Sequence, residues 1–450
     1  GGGWDAVGWL ERARDGRPDI IVENVDLLFS LPSKEAVEVA DNPTVAGCIR
    51  SSSSSSSLAS TCSSSSGEIC DDDDGTTTGG DGNDKRTRIY VERINFTAPR
   101  TVGTVIEEWD TTDGSHLGPG QIEVQSVCSL ISSGTELKIF KGEFSPTAPL
   151  DINIPGLSTQ TMSYPLTYGY SSVGRVTRCA SDIPESEADL LLNRLVFTFS
   201  PHASHHIVDK GDAMLVPEGI DAEDAIFLPA VETALSIVHD AHVRVGEDVV
   251  VLGQGLIGLL VTRILSGGVV GGGGGIMPGG VGGITAVDTL PDRLAMSSRM
   301  GASQSLLPNS LPTTATTTTV TTTTTPFFDV AIEVSGNPRA LQSAIDATRS
   351  SGRVIIASWY GDTTPVSLKL GIDFHRSRKT LLTSQVSTIP PGMVGSWSKE
   401  RRFDVVWELV RGMKPGRELL TRRGVRLADA QGVYESLSEG GKEIAVSFVY

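Results

Sequence analysis

Cysteine is scarce in this 450-residue chain, and the five present (Cys48, Cys62, Cys70, Cys128 and Cys179) are scattered without a CxxC pair. Their spacing excludes both a disulfide framework and a zinc lobe of closely spaced cysteines, and makes a reducing, cytoplasmic setting the expectation. Positive charge is also short. Lys and Arg number 37 against 54 Asp and Glu, a net charge of −17, with no basic stripe. Phosphate backbones require clustered cations, so a nucleic-acid partner is excluded. Long apolar runs are missing as well. The longest, Val249 to Leu265, is broken by Gly253, Gln254, Gly255, Gly258 and Arg263, short of the ~20 apolar residues a bilayer span needs. No membrane partner is expected. The chain opens Gly1-Gly2-Gly3 without methionine, so a targeting peptide is not judged from it.

Glycine, by contrast, is abundant, with 50 residues, and small polar residues gather in runs. Ser51 to Ser57 is unbroken serine, Asp71 to Asp74 an acidic block, 267–283 holds 11 glycines, and Thr313 to Thr325 is almost entirely threonine. Such runs cannot bury apolar surface. Residues 1–87 therefore read as a disordered low-complexity N-terminal extension, and 267–283 and 312–325 as surface insertions. What remains is the size of two domains rather than the three that length alone suggests.

From Ile89 to Gly219 short β-branched runs alternate with turn signals: Tyr90 to Phe96, Thr104 to Trp109, Gln121 to Ile131, Ser172 to Arg178, Arg194 to Phe199 and His206 to Val208. That spacing predicts a β-barrel or sandwich. Ala222 to Ala241 then has a helical apolar period with Asp221 as N-cap. Strands at Asp248 to Leu252, Ile284 to Val287, Asp329 to Glu333 and Arg353 to Ser358 alternate with helices at Gly255 to Leu265, Asp292 to Met300 and Arg339 to Ser350. Alternation of this kind predicts a doubly wound parallel sheet.

The strand Val249-Val250-Val251-Leu252 runs into Gly253-Gln254-Gly255-Leu256-Ile257-Gly258 and a helix. In GxGxxG the first glycine makes the tight turn, the second lets backbone approach a pyrophosphate, and the third lets the helix pack on the strand. Phosphate oxygens then meet the free N–H groups at the helix N-terminus. The motif needs an acidic residue about 20 positions on for the adenosine ribose. Asp288 ends the second strand but lies 35 positions after Gly253, a distance that the glycine insertion accounts for. A carboxylate there favours NAD(H) over NADP(H), although Arg293 is close by. The bland alternative for Asp288 is a turn or helix-capping residue.

Four ordered blocks carry a resemblance: Gly118 to Val124, Gly134-Thr135-Glu136, Gly169 to Val176, and the nucleotide segment with Val287-Asp288 and Arg293-Leu294. Over about Ile94 to Tyr450 the chain resembles the medium-chain dehydrogenase/reductase superfamily, the zinc alcohol dehydrogenase-like proteins. The resemblance implies a GroES-like β-barrel catalytic domain at 88–217, a Rossmann NAD(P)-binding domain at 218–388, and a return to the catalytic domain at 389–450. It also implies a homodimer, through an edge strand after Phe374 to Arg378, and cofactor contacts at Thr233 and at Val334-Ser335-Gly336. Zinc-dependent members carry a cysteine, a His-Glu pair and a further ligand where this chain has Ser132 or Ser133, Tyr170-Ser171 and Leu228 to Thr233. Hydroxyls are poor Zn²⁺ ligands, so no metal is expected and the chain resembles a branch lacking the zinc ligands.

Without zinc, hydride transfer needs a hydrogen-bond donor and a proton carrier beside the nicotinamide. Tyr170 is the first candidate. Thr135, which the resemblance places in a proton relay, and Ser133 could assist, and so could His202 from the cluster His202, His205 and His206. Each has a bland alternative, a packed phenol, a satisfied turn hydroxyl or a core imidazole. Glu232 is read either as facing the nicotinamide or as half of an ion pair. The expected function is a zinc-independent oxidoreductase acting on a small alcohol, carbonyl or activated alkene. The alternative is a nucleotide-binding sensor or assembly subunit without turnover.

Overall fold

The computed structural model describes residues 88–112, 114–150, 161–267, 281–311, 328–360 and 367–450. The N-terminal extension and most of both low-complexity insertions lie outside the described residues. Fifteen strands are described: β1 (Arg88–Ala98), β2 (Thr101–Asp110), β3 (Gln121–Leu130), β4 (Ser172–Cys179), β5 (Leu195–Thr198), β6 (His205–Asp209), β7 (Met214–Leu215), β8 (Asp248–Leu252), β9 (Gly283–Val287), β10 (Gln304–Leu306), β11 (Phe328–Glu333), β12 (Thr348–Ile356), β13 (Thr380–Thr383), β14 (Leu420–Val425) and β15 (Ala445–Val449).

Six of them form a parallel sheet in the order β10-β9-β8-β11-β12-β13. Counted from β8, this is the 3-2-1-4-5-6 order of dinucleotide-binding sheets, with the switch point between β8 and β11. The valine run of β8 suits a strand covered on both faces. Val249 and Val251 join a core with Val231, Leu235, Leu260 and Ile264, while Val250 and Leu252 join a second core with Leu341, Ala344 and Ile345.

The β-rich half is a seven-stranded sheet, β14-β15-β3-β4-β5-β7 with β6 also paired to β3. The ribbon β1·β2 is tied on through Ile94 N–H to His202 O (2.9 Å) and Ser204 N–H to Glu92 O (2.7 Å). At the chain's end β15 pairs antiparallel with β3, so residues 420–449 belong to this half. Ile122, Val124, Val176 and Val196 fill one side of it.

One expectation is corrected. The single helix over Ala222 to Ala241 is two, Ala222–Ala225 and Leu228–Ala241, and Asp221 makes no side-chain cap. Pro229 is the reason. It lacks an N–H and its ring would clash with the carbonyl four residues back inside a continuous helix, but it is tolerated in a first turn.

Candidate functional site

The crevice at the switch point is built by the turn after β8. Gly253 has φ +98°, and a Cβ there would lie 2.5 Å from Ser335 Cα. At Gly258 a Cβ would lie 1.9 Å from Gly253 O. Both glycines are thus required by the free protein. Gly255 differs, for a Cβ there would meet nothing nearer than Arg293 Nη1 at 4.0 Å. Leu256, Ile257 and Gly258 open the helix Leu256–Leu265, whose first backbone bond is Leu259 N–H to Gly255 O, so their own N–H groups precede the ladder.

Asp288 ends β9 nearly buried. One carboxylate oxygen accepts Gln254 N–H at 2.7 Å and the other Leu290 N–H at 2.9 Å. It therefore ties the glycine turn to the end of β9 and also makes an Asx turn, the bland role considered for it. Across the crevice Ser335 donates its hydroxyl to Glu333 Oε1 (2.6 Å) and accepts Asn337 N–H (3.1 Å), and Gly336 N–H donates to Ser358 Oγ (2.8 Å). Sequence reasoning missed Glu333. It is fully buried at the end of β11, takes Ser335 N–H at 2.8 Å and the Tyr360 hydroxyl, and so fixes the turn that faces Gly253. Thr233 spends its hydroxyl on Pro229 O, one turn back in its own helix, at 2.8 Å.

In the β-rich half the Tyr170 hydroxyl meets Ser132 Oγ in a short hydrogen bond. The partner is Ser132, not Ser133, which starts the helix Ser133–Lys141; Thr135, in the first turn, donates its N–H to Ser132 O at 3.1 Å. Ser132 is held in turn by its own N–H, which donates to Glu136 Oε1 at 2.7 Å.

Glu136 is the hub that the sequence did not reveal. Fully buried, its Oε2 lies 3.0 Å from His202 Nε2 and accepts the Tyr434 hydroxyl. His202 Nδ1 is 2.7 Å from Ser129 Oγ, which is 2.6 Å from Tyr450 Oη. Burial, and then the Glu136 carboxylate, raise the Tyr434 phenol well above its ordinary pKa, so it stays a neutral donor. The signal available in the sequence was the acidic residue after Gly134-Thr135; its partner Tyr434, and the Tyr450 that bonds Ser129 beside His202, lie some 300 positions away.

The three histidines do not converge. His206 bonds Ser172 Oγ at 3.2 Å and His205 bonds Ser204 Oγ at 3.2 Å. Burial first, then the positive charge of Arg93, push the His206 imidazole down to about 3, which leaves it neutral. Glu232 is half of an ion pair: Arg402, fully buried on the helix Lys399–Met413, reaches its Oε1 at 2.6 Å and also bonds Ser236 Oγ, Thr388 O and Val386 O. Burial raises the Glu232 carboxyl and Arg402 opposes that shift.

Among the described residues no group of three His, Cys, Asp or Glu is placed to hold a metal. Where a zinc site would draw its ligands the donors are the hydroxyls of Ser132, Tyr170 and Ser171, and Ser171 Oγ is spent on Ile226 O. That donor set does not fit zinc.

No protein-family profile matches the chain. It is 26% identical over 245 residues to the D-guloside 3-dehydrogenase of Escherichia coli, which is 54% of this chain and 65% of that relative. It is also 26% identical over 190 residues to a zinc-type alcohol dehydrogenase-like protein of Escherichia coli, 42% of this chain and 49% of the other. The chain thus spans less than two thirds of the length of these curated relatives. Its fold is that of the 2R,3R-butanediol dehydrogenase of Bacillus subtilis, with a TM-score of 0.61 at 18% identity over 80% of this chain and 99% of that one.

Proposed function

We propose that this chain, which shares its fold and its relatives with the zinc-type alcohol dehydrogenase-like proteins of the medium-chain dehydrogenase/reductase superfamily, is a nicotinamide-dependent oxidoreductase acting on an alcohol or its carbonyl without zinc. The observation that carries the reading is the crevice at the switch point of the parallel sheet, where Asp288 holds the Gln254 N–H and Gly255 leaves an open approach to the helix N-terminus.

Nicotinamide, when bound, supplies or accepts the hydride. Backbone N–H groups at Leu256, Ile257 and Gly258 take the pyrophosphate, aided by the positive end of the helix dipole. Each Asp288 oxygen accepts one protein N–H and keeps a lone pair for the ribose hydroxyls. That carboxylate repels a 2′-phosphate, which favours NAD(H), while Arg293 beside Gly255 gives NADP(H) a weaker hold. Thr233, Ser335 and Gly336 line the approach. At the reacting end the Tyr170 phenol donates to the substrate oxygen, and Ser132, already bonded to it, passes the proton with Thr135 and Ser133 beside it. His202 acts behind them, through Glu136.

The assembly consistent with this reading is a homodimer. Among the described residues β13 pairs only with β12, and its far edge is left to pair with a second copy. The free thiols Cys128 and Cys179 suit a reducing, cytoplasmic setting.

The test is titration of the purified full chain with NADH and NADPH by nicotinamide fluorescence, then a turnover panel of secondary alcohols, polyols and the matching ketones. Saturable NADH binding with turnover of one class is expected. Binding without any turnover would favour the sensor alternative, and no binding of either cofactor would overturn the reading. Stoichiometric tightly bound zinc on metal analysis would overturn the metal-free part.

A further inference from the structure

Among the described residues the buried carboxylates are Glu123, Glu136, Asp224, Glu232, Asp288 and Glu333. An unpaired buried charge is costly, so each needs a cation or a reason to lack one. Four are answered: Glu123 faces His116 at 2.8 Å, Glu136 faces His202 at 3.0 Å, Glu232 pairs with Arg402 at 2.6 Å, and Asp224 feels the charge of Lys414. Among the described residues Asp288 and Glu333 form no ion pair, and both stand at the switch-point crevice.

The two flank the glycine turn. Leu252, the residue before Gly253, is level with Val287 on β9 and with Glu333 on β11. Asp288 follows Val287, so each carboxylate comes from a strand next to β8, one on either side. Arg293, near Gly255, is carried by the helix after β9 and belongs to the Asp288 side. The hydrogen bonds of Glu333 fix its state. Ser335 N–H (2.8 Å) and the Ser335 hydroxyl (2.6 Å) donate to Oε1, and the Tyr360 hydroxyl donates to Oε2. Burial, and then Glu333 itself, raise the Tyr360 phenol, which keeps it a donor. With donors on both oxygens Glu333 has no proton of its own to place and is an anion held by neutral groups.

Bracing the Ser335 turn does not account for the charge. A neutral side chain could accept the same N–H without burying an ion, so the charge needs a separate reason. The proposed cofactor placement supplies one. With the adenosine ribose at Asp288 and the pyrophosphate at the helix after β8, the second nucleoside continues over β11, where Ser335 and Gly336 follow Glu333. An oxidised nicotinamide ring is a pyridinium cation, whereas the reduced ring is neutral.

We infer that Glu333 is the buried counter-charge for the oxidised nicotinamide ring, so that it strengthens binding of the oxidised cofactor and not of the reduced one. It acts through the field it sets behind the Ser335 turn, as a residue that determines redox-state preference rather than as a catalytic group. The inference rests on the proposed oxidoreductase reading and deepens it. Opposite unit charges roughly 8–10 Å apart at an effective dielectric constant of about 20 are worth about 15- to 30-fold in affinity. Screening in an open crevice lowers that, to about fivefold at the least.

The test compares the full chain as wild type, E333Q and Y360F, titrated with NADH by nicotinamide fluorescence and with NAD⁺ by isothermal titration. E333Q keeps the side-chain volume and an acceptor for Ser335 but loses the charge. Y360F loosens the same turn and keeps the charge. E333Q is expected to raise the NAD⁺ dissociation constant about 5- to 30-fold and leave that of NADH within about twofold of wild type. Y360F is expected to keep the wild-type ratio of the two constants. Equal weakening of both cofactors in E333Q, no change in either, or a Y360F ratio that shifts as the E333Q ratio does would overturn the inference and leave the oxidoreductase reading standing. A wild type that binds neither cofactor would overturn both. Circular dichroism checks the fold of each variant; if E333Q alone is unfolded, E333Q/Y360F, in which the amide no longer faces the phenol, carries the same expectation.

Discussion

Substituting Gly255 by alanine separates what the fold needs from what the cofactor needs. In the free protein the new methyl meets only Arg293 Nη1, at 4.0 Å, and the backbone at φ −73° is open to any residue. Unfolding free energy should therefore change by no more than about 0.5 kcal/mol, the range of substitutions that touch nothing. Binding is different. A pyrophosphate approaching this backbone would find the methyl in its path and move away, loosening charge-assisted hydrogen bonds to the helix N–H groups. One such bond is worth about 1.5–3 kcal/mol, so the NADH dissociation constant should rise about 10- to 150-fold at 1.4 kcal/mol per factor of ten. Gly258→Ala supplies the contrast. With Gly253 O only 1.9 Å from the new Cβ, helix and turn must part by about 1 Å, and overpacking of that kind costs about 1–3 kcal/mol in stability. Urea denaturation and NADH fluorescence titration on the same preparations measure both effects. A G255A variant that binds NADH as the wild type does would refute the placement of the pyrophosphate.

Tyr170→Phe should leave substrate KM near its wild-type value and lower kcat by about 10²- to 10⁴-fold, the share of a general acid; a kcat within threefold of wild type would remove Tyr170 from the chemistry. Asp288→Asn keeps an acceptor for Gln254 N–H but loses the charge, and should weaken NADH about tenfold while leaving NADPH unchanged or tighter. Equal loss for both cofactors would show that Asp288 serves only the turn. His206 makes stability depend on pH. Its imidazole is held down to about 3 by burial and by Arg93, against about 6.5 in the unfolded chain. The unfolded state takes the proton first, so this contribution is complete above pH 6.5 and is lost as the pH falls towards 3, by about 1.4 kcal/mol per unit. His206→Gln should flatten the fall in unfolding free energy between pH 6.5 and 4; parallel wild-type and variant curves would show that His206 is not responsible.

The parallel sheet was legible because its cause is local. A valine run ending in GxGxxG states strand, turn and helix within ten residues, and Asp288 could be found despite the interrupted spacing because Ile284 to Val287 is itself an unmistakable strand. The break between Ala225 and Leu228 was hidden by continuous apolar periodicity, with Pro229 the one clue. The network around Glu136 was not legible. His202 is a neighbour of Glu136 only because Ile94 N–H bonds His202 O and seats that segment against β1, and Tyr434 and Tyr450 arrive only when β15 pairs with β3. Long-range pairing of this kind leaves no period in the sequence. Likewise nothing in the sequence shows that Ser132 rather than Ser133 bonds Tyr170, a difference of one residue of helix phase.

The Arg402 contacts bear on how the chain could be divided. Its guanidinium comes from helix Lys399–Met413, yet its partners among the described residues, Glu232, Ser236, Val386 and Thr388, all precede that helix. Val406, Leu409 and Val410 pack in the same core as Val231 and Leu235. A nucleotide-binding cassette cut after β13 would therefore keep its glycine turn but lose the cation of Glu232, and stranding a buried charge costs about 3–5 kcal/mol. Any transplant of the parallel-sheet half between relatives must carry residues as far as Met413, so the unit that has to move together is longer than the sheet itself.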